Sequence, residues 1–321
     1  MLKTAAVNEP RFEKEGLLIE GQSTNMVVQS EILPRMLEAG SYTVTTSVVQ
    51  GYNLHSCVYN SGDDALVVDT WATLQAADGT GSFVFNSATI VGNWSCYFNN
   101  TDSYVGFWPK NSSAFEYEDL GKGLIRASRK LKGTTLNIIH LRCGKVPGSR
   151  IDIGCYQIEA LPFASSYIPT NGAAVTRAAD VCFIPERQNI YSGGTDVSFC
   201  CEVDTKGGST RIFEAGDATL FYINEKEFGG RVSRFATKTI ANSYILGSRA
   251  IVAASISPAR VTSRLNGIVV SGVPAIEGSA GFARLQFGNR SATLDRPLNG
   301  HIRNFRIWHS ALTDEQIKAL K

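Results

Sequence analysis

From Ser41 onward the chain is cut into short runs of β-branched and aromatic residues by glycine, asparagine and proline. Tyr42-Thr43-Val44-Thr45-Thr46-Ser47-Val48-Val49 is the clearest run. Branching at Cβ stiffens χ1 and suits a pleated, half-buried surface better than a helix. Comparable runs lie at 55–59, 64–70, 82–85, 94–98, 103–109, 134–143 and 153–160, and again at 196–204, 210–215, 218–223, 231–236, 249–257, 260–265, 267–270 and 283–288. Gly62, Asp78-Gly79, Asn99-Asn100, Gly121-Lys122-Gly123 and Pro147-Gly148 punctuate the first group. Short strands at such spacing predict an all-β chain built as sandwiches rather than a parallel sheet with helices.

One segment breaks the pattern. Phe163–Asp180, FASSYIPTNGAAVTRAAD, holds neither a period of two nor one of 3.6. Pro169 biases Ile168 toward extended geometry, and Asn171-Gly172 is a turn signal. β-patterned regions of similar size flank it, and 321 residues suffice for two cores. The expected organisation is an extended arm over 1–25, a first sandwich over 26–162, a connector over 163–180 and a second sandwich over 181–321. Within this frame, Ile32–Ala39 is expected to make a helical turn or two, broken at Pro34. Asn266-Gly267 is expected at the tip of a hairpin. Thr313 is expected to cap a closing helix, with Gln316 completing a capping box and Ile317 and Leu320 packing inward.

Net charge is +2, so no strong field favours nucleic acid or an anionic membrane. No apolar run is long enough to span a bilayer, and the N-terminus does not read as a secretory leader. The seven cysteines lack paired zinc spacing and read as reduced, mostly buried thiols; Cys200 and Cys201 should point to opposite faces of one strand. The histidines His55, His140, His301 and His309 lack a second ligand at metal spacing and read as structural. Carboxylates that a glycosidase could use are Asp63, Asp64 and Asp69, or Glu214 and Asp217, but sequence does not fix their separation. Asp217, Asn224 and Asp295 are the residues a structural Ca²⁺ would draw on. No catalytic motif emerges, no enzyme activity is expected, and no cofactor or metal is expected.

Aromatic side chains crowd the first half, and their bland reading is core or subunit interface. The functional reading is a sugar platform, because sugar rings stack apolar faces on Trp and Tyr while Asn and Asp order their hydroxyls. Trp94, Tyr97, Asn99, Asn100, Asp102 and Tyr104 combine both residue types across an expected hairpin, Trp94–Trp108.

Two motifs carry a family resemblance. Gly16-Leu17-Leu18-Ile19-Glu20-Gly21-Gln22-Ser23-Thr24-Asn25 comes first. Tyr156-Gln157-Ile158-Glu159-Ala160, Ser166-Tyr167-Ile168-Pro169-Thr170 and Thr176-Arg177-Ala178-Ala179-Asp180 follow. Together they resemble a junction in tailed-bacteriophage structural proteins that joins a jelly-roll-like domain to a concanavalin-A/laminin-G-like one. "LNGHIRNFRIW…LTDEQIKAL" near the C-terminus resembles the closing strand and helix of laminin-G-like sandwiches. The resemblance implies a virion tail-fibre or spike component, made in the host cytoplasm, that attaches to a host-surface glycan. It also implies a homotrimer whose N-terminal arm docks on other virion proteins. A capsid-decorating or head-fibre protein, a glycan-degrading enzyme and a free lectin are the alternatives.

Overall fold

The computed structural model describes residues 9–74, 79–98, 105–110, 112–131, 134–185, 196–215, 219–225, 227–232, 235–241, 243–276, 284–290 and 292–321. These residues form antiparallel strands and one short helix, Asp314–Ala319. They fall into two compact units: Ser23–Arg177, and Ala178–Lys321 joined by the described part of Ala5–Gln22. The chain is all-β, a pair of two-sheet sandwiches with a C-terminal helix.

In the first unit a five-stranded sheet runs in the order Val105–Trp108, Trp94–Tyr97, Thr134–Arg142, Ala65–Leu74, Arg35–Met36. The six-stranded sheet runs Glu116–Gly121, Leu124–Leu131, Gly79–Asn86, Arg150–Glu159, Tyr52–Tyr59, Tyr42–Val49. Alternation along each strand sends Phe83 and Phe85 inward from one sheet to meet Trp94, Cys96, Ile139 and Leu141 from the other. Phe83 and Phe107 pack edge to face at 5.1 Å, a geometry the ring quadrupole favours. The helical turn expected over Ile32–Ala39 is absent. Arg35–Met36 directly follows Pro34 as a short edge strand, since the ring that ends a helix is tolerated at a sheet edge.

The segment expected as a connector is instead largely part of the first unit, which extends to Arg177. Phe163, Ala164, Ser165, Ile168 and Thr170 are buried. They lie over Arg150–Glu159, where Gln157 Oε1 accepts from the Ile168 amide at 2.7 Å and Arg126 donates to the Ser165 carbonyl. Tertiary contacts of this kind leave no periodicity in a sequence.

From residue 9, where its description begins, the expected N-terminal arm is built into the two units. Phe12–Glu13 and Gly16–Ile19 are the first strands of a seven-stranded sheet in the second unit, continuing through Gly300–Trp308, Val197–Thr205, Ala250–Ile256, Val261–Leu265 and Ile268–Gly272. Ser23–Asn25 pairs with Val175–Arg177 in the first unit. The sequence of 12–19 is too short and too charged to show a buried strand by pattern, yet Ile19 is fully buried. The opposing seven-stranded sheet runs Cys182–Ile184, Leu285–Phe287, Ser209–Ala215, Thr219–Asn224, Glu227–Val232, Phe235–Ala236, Ala275–Ile276. Phe199, Cys201 and Val203 face the core between the sheets, whereas Cys200 faces the opposite side with Ala253 and Ile317. The helix thus seals the outer face of its sheet through Ile317. Its capping box forms as expected, with the Gln316 amide donating to Thr313 Oγ1 at 3.2 Å and the Thr313 amide donating to Gln316 Oε1 at 2.8 Å. The hairpin at Asn266-Gly267 also forms: Leu265 opposes Ile268, and Asn266 takes the left-handed φ of 53° that this turn demands.

Candidate glycan-binding face

Of the predicted platform residues only Trp94 and Tyr97 lie among the described residues, and their side chains point to opposite faces of one strand. Trp94 is only 1% exposed, and its Nε1 donates to the Val91 carbonyl at 3.0 Å. It fills the core because it shares the inward face of its strand with Cys96, so no sugar can reach its ring. Asn99, Asn100, Asp102 and Tyr104 lie outside the described residues. Tyr97, one residue out of phase with Cys96, points to the other face and is half-buried.

Register builds a different constellation around Tyr97. Arg35 opposes Val67, Val67 opposes His140, and His140 opposes Tyr97, so the four side chains share one row on the five-stranded sheet, with Val67 itself buried between the two ends. The rings of Tyr97 and His140 stack at 4.4 Å with an interplanar angle of 16°. At the other end of the row, Arg35 Nε and Nη2 donate to the two Asp69 oxygens at 2.9 and 3.2 Å. Arg142, two residues beyond His140, lies 3.8 Å from Asp64. Burial lowers the His140 pKa, and the Arg142 and Arg35 guanidiniums lower it further, so the imidazole is neutral near pH 7. The face therefore offers stacked π surface beside fixed donors and acceptors, the mixture a sugar ring requires. His140 was readable as outward-facing from the alternation of Ile139, His140, Leu141 and Arg142. Its pairing with Tyr97 rests on strand register that the sequence does not contain.

The carboxylates near this face are already engaged. Asp63 Oδ1 accepts from the Ala65 amide at 2.8 Å, and Asp64 Oδ2 accepts from the Gly144 and Lys145 amides at 2.8 and 3.2 Å. In the second unit Glu214 lies 3.6 Å from Arg211, while Asp217 is outside the described residues. Asp295 accepts from Thr293 Oγ1 and lies 3.6 Å from Arg290. Among the described residues no group of three or more His, Cys, Asp or Glu side chains is arranged to hold a metal ion.

The motif residues serve a different end. Asn25 donates through Nδ2 to the Ile168 and Tyr156 carbonyls at 2.8 and 3.2 Å, and accepts at Oδ1 from the Val27 and Ile158 amides at 3.1 and 3.2 Å. Glu159, fully buried, accepts from Ser23 Oγ at 2.5 Å, Gln157 Nε2 at 2.7 Å and the Ser165 amide at 2.9 Å. Ser30 and Thr170 exchange amide-to-hydroxyl bonds, both at 2.8 Å. In the second unit Asp180 accepts from the Glu20 amide at 2.7 Å and from Arg11, which also binds Glu20 at 2.8 Å. The polar residues of the first motif thus clamp it to the second, separately within the first unit and within the second. They are structural.

No family model matches the chain, and no curated protein sequence matches it. Among solved structures it is similar to the mouse laminin alpha1 chain, domains LG4-5, with 12% identity, a TM-score of 0.31, and coverage of 86% of this chain and 92% of that one. A likeness this distant says nothing about what the chain binds.

Proposed function

We propose that this protein is a non-enzymatic attachment component of a tailed-bacteriophage virion that contacts a host-surface glycan. The phage-type junction motifs support the setting, and the Tyr97–His140 ring pair with its flanking Arg35–Asp69 pair supports the contact. The ring pair is the observation that carries the reading, because it sets two stacked rings on the outer face of a sheet rather than in its core. Weak single-site binding becomes firm attachment when several copies engage one surface, since linked sites see a high effective concentration. A role on the head or tail of the particle is compatible with the same face.

The test is a glycan array followed by titration of the strongest binder against the wild type and the Tyr97→Ala and His140→Ala variants. Losing a sugar-stacking ring costs about 1–2 kcal/mol, so affinity should fall about tenfold or more in each variant with thermal melting unchanged. Binding that survives both substitutions at full strength excludes this face. Release of reducing ends from the bound glycan would make the protein an enzyme and overturn the non-catalytic reading.

A further inference from the structure

The chain treats its sheet edges unequally. Phe12–Glu13, Arg35–Met36, Cys182–Ile184 and Ala275–Ile276 are edge strands of only two or three residues. Val105–Trp108 is interrupted by a register shift, and Glu116–Gly121 carries Glu116, Glu118 and Asp119 as well as a shift. Shortness, charge and irregularity are the devices that keep unpaired N–H and C=O groups from recruiting another strand. Ile268–Gly272 lacks charge but is short, and its Ser271 is tied to Asp314 at 2.8 Å.

Tyr42–Val49 has none of these protections. It is an eight-residue strand at the end of the six-stranded sheet, paired on one side in unbroken register with Tyr52–Tyr59. It contains no Lys, Arg, Asp, Glu, Pro or Gly. Among the described residues no strand pairs with its other side. Val48 is 67% exposed there, a large apolar side chain at an open edge.

We propose that this edge pairs antiparallel with the same edge of a second copy of the chain, about a two-fold axis through Thr46. That register sets Val44 against Val48 twice, Thr46 against its own counterpart, Thr45 against Ser47 and Thr43 against Val49. Partners separated by an even number of residues keep the same facing, so each sandwich continues its inner face into the other. The contact is isologous and closes as a dimer, with no charge left opposite a like charge. It covers Val48 with the partly buried Val44 of the other copy. The strand's self-complementarity is what selects a second copy over an unrelated peptide. This inference is independent of the glycan reading and departs from the homotrimer that the family resemblance implies; the mass in solution decides between them.

Light scattering of the purified full chain over a range of concentrations is the test. The expected mass is twice that of one chain, falling to one chain in Val48→Lys with the melting curve unchanged, because Val48 is 67% exposed in the single chain. Val91→Lys, which alters another exposed valine of the same unit, should leave the dimer intact. Thr46→Cys should form an interchain disulfide under mild oxidation. A wild type that stays a monomer at the highest concentration, one that forms a trimer, or a dimer that survives Val48→Lys would each overturn the proposal.

Discussion

Replacing Asn25 with alanine should unfold the first sandwich at markedly lower denaturant while leaving the second nearly untouched. Asn25 is fully buried and makes four hydrogen bonds, two given to carbonyls and two received from amides. Alanine deprives all four backbone groups of this partner at a fully buried position. An unsatisfied buried donor or acceptor costs about 1–3 kcal/mol, and the carbonyls, with a second lone pair, fall at the low end. About 1 kcal/mol for each of the four gives a loss of about 4 kcal/mol, a large share of the stability of a domain this size. At a urea dependence of about 2 kcal/mol/M the midpoint falls by about 2 M. Hydrogen exchange read by mass spectrometry separates the units, using Gly79–Asn86 as reporter of the first and Val197–Thr205 of the second. Thr24→Ala is the control, because the Thr24–Thr176 hydroxyl bond of 2.8 Å is exposed and its loss should cost no more than about 0.5 kcal/mol. A stability for Asn25→Ala within about 1 kcal/mol of wild type would refute the clamp.

His301 predicts a pH dependence in the second unit. Burial would lower its pKa, but hydrogen bonds to Asp204 at 3.0 Å and Glu13 at 3.1 Å outweigh burial and push it up to about 9. Arg249, which also contacts Asp204, is the nearby opposing cation. A raised pKa means stabilisation complete below the ordinary value near 6.5 and lost as pH climbs through 9, a change of about 3–4 kcal/mol at most. Denaturation midpoints should therefore decline across that window in wild type and stay flatter in His301→Gln; equal slopes would remove His301 as the cause. Thiol chemistry supplies a second check. All seven cysteines are free, six are buried and Cys182 is half-buried, and burial pushes Cys57 and Cys155 up to about 12. A thiol-reactive chromophore should label at most Cys182 rapidly in the native protein and all seven after unfolding. Rapid native labelling of several thiols would contradict the packing.

Much of the fold is legible in the sequence because β structure writes itself locally. The Asn266-Gly267 turn, the Thr313–Gln316 capping box and the opposite facing of Cys200 and Cys201 each depend on neighbours a few residues apart. The features that escape such reading depend on partners far away in the chain. Gly16–Ile19 looks like a tail until Gly300–Trp308 supplies the strand it joins, with Leu17 opposite Ile302 across almost the whole sequence. Phe163–Thr170 looks like a linker because its hydrogen bonds go to Gln157 and Arg126 rather than along itself. Neither fact has a periodic signature.

The aromatic site shows the same limit more sharply. Trp94 and Tyr97 lie three residues apart, and an odd separation in a strand places them on opposite faces. Alternation alone therefore excludes a sugar platform that needs both. Tyr97 has the right chemistry but other companions, since its stacking partner His140 sits in a strand distant in sequence and reads there as merely structural. Polar residues of the junction motifs pose the converse case: Asn25, Gln157 and Glu159 look like binding groups in a sequence. Full burial with every polar atom matched makes them a clamp, because a ligand would have to break several buried hydrogen bonds at about 1–3 kcal/mol each before making any of its own. Half-exposed side chains on the strands that the clamp stabilises stay open to a ligand, and Tyr97 and His140 are among them.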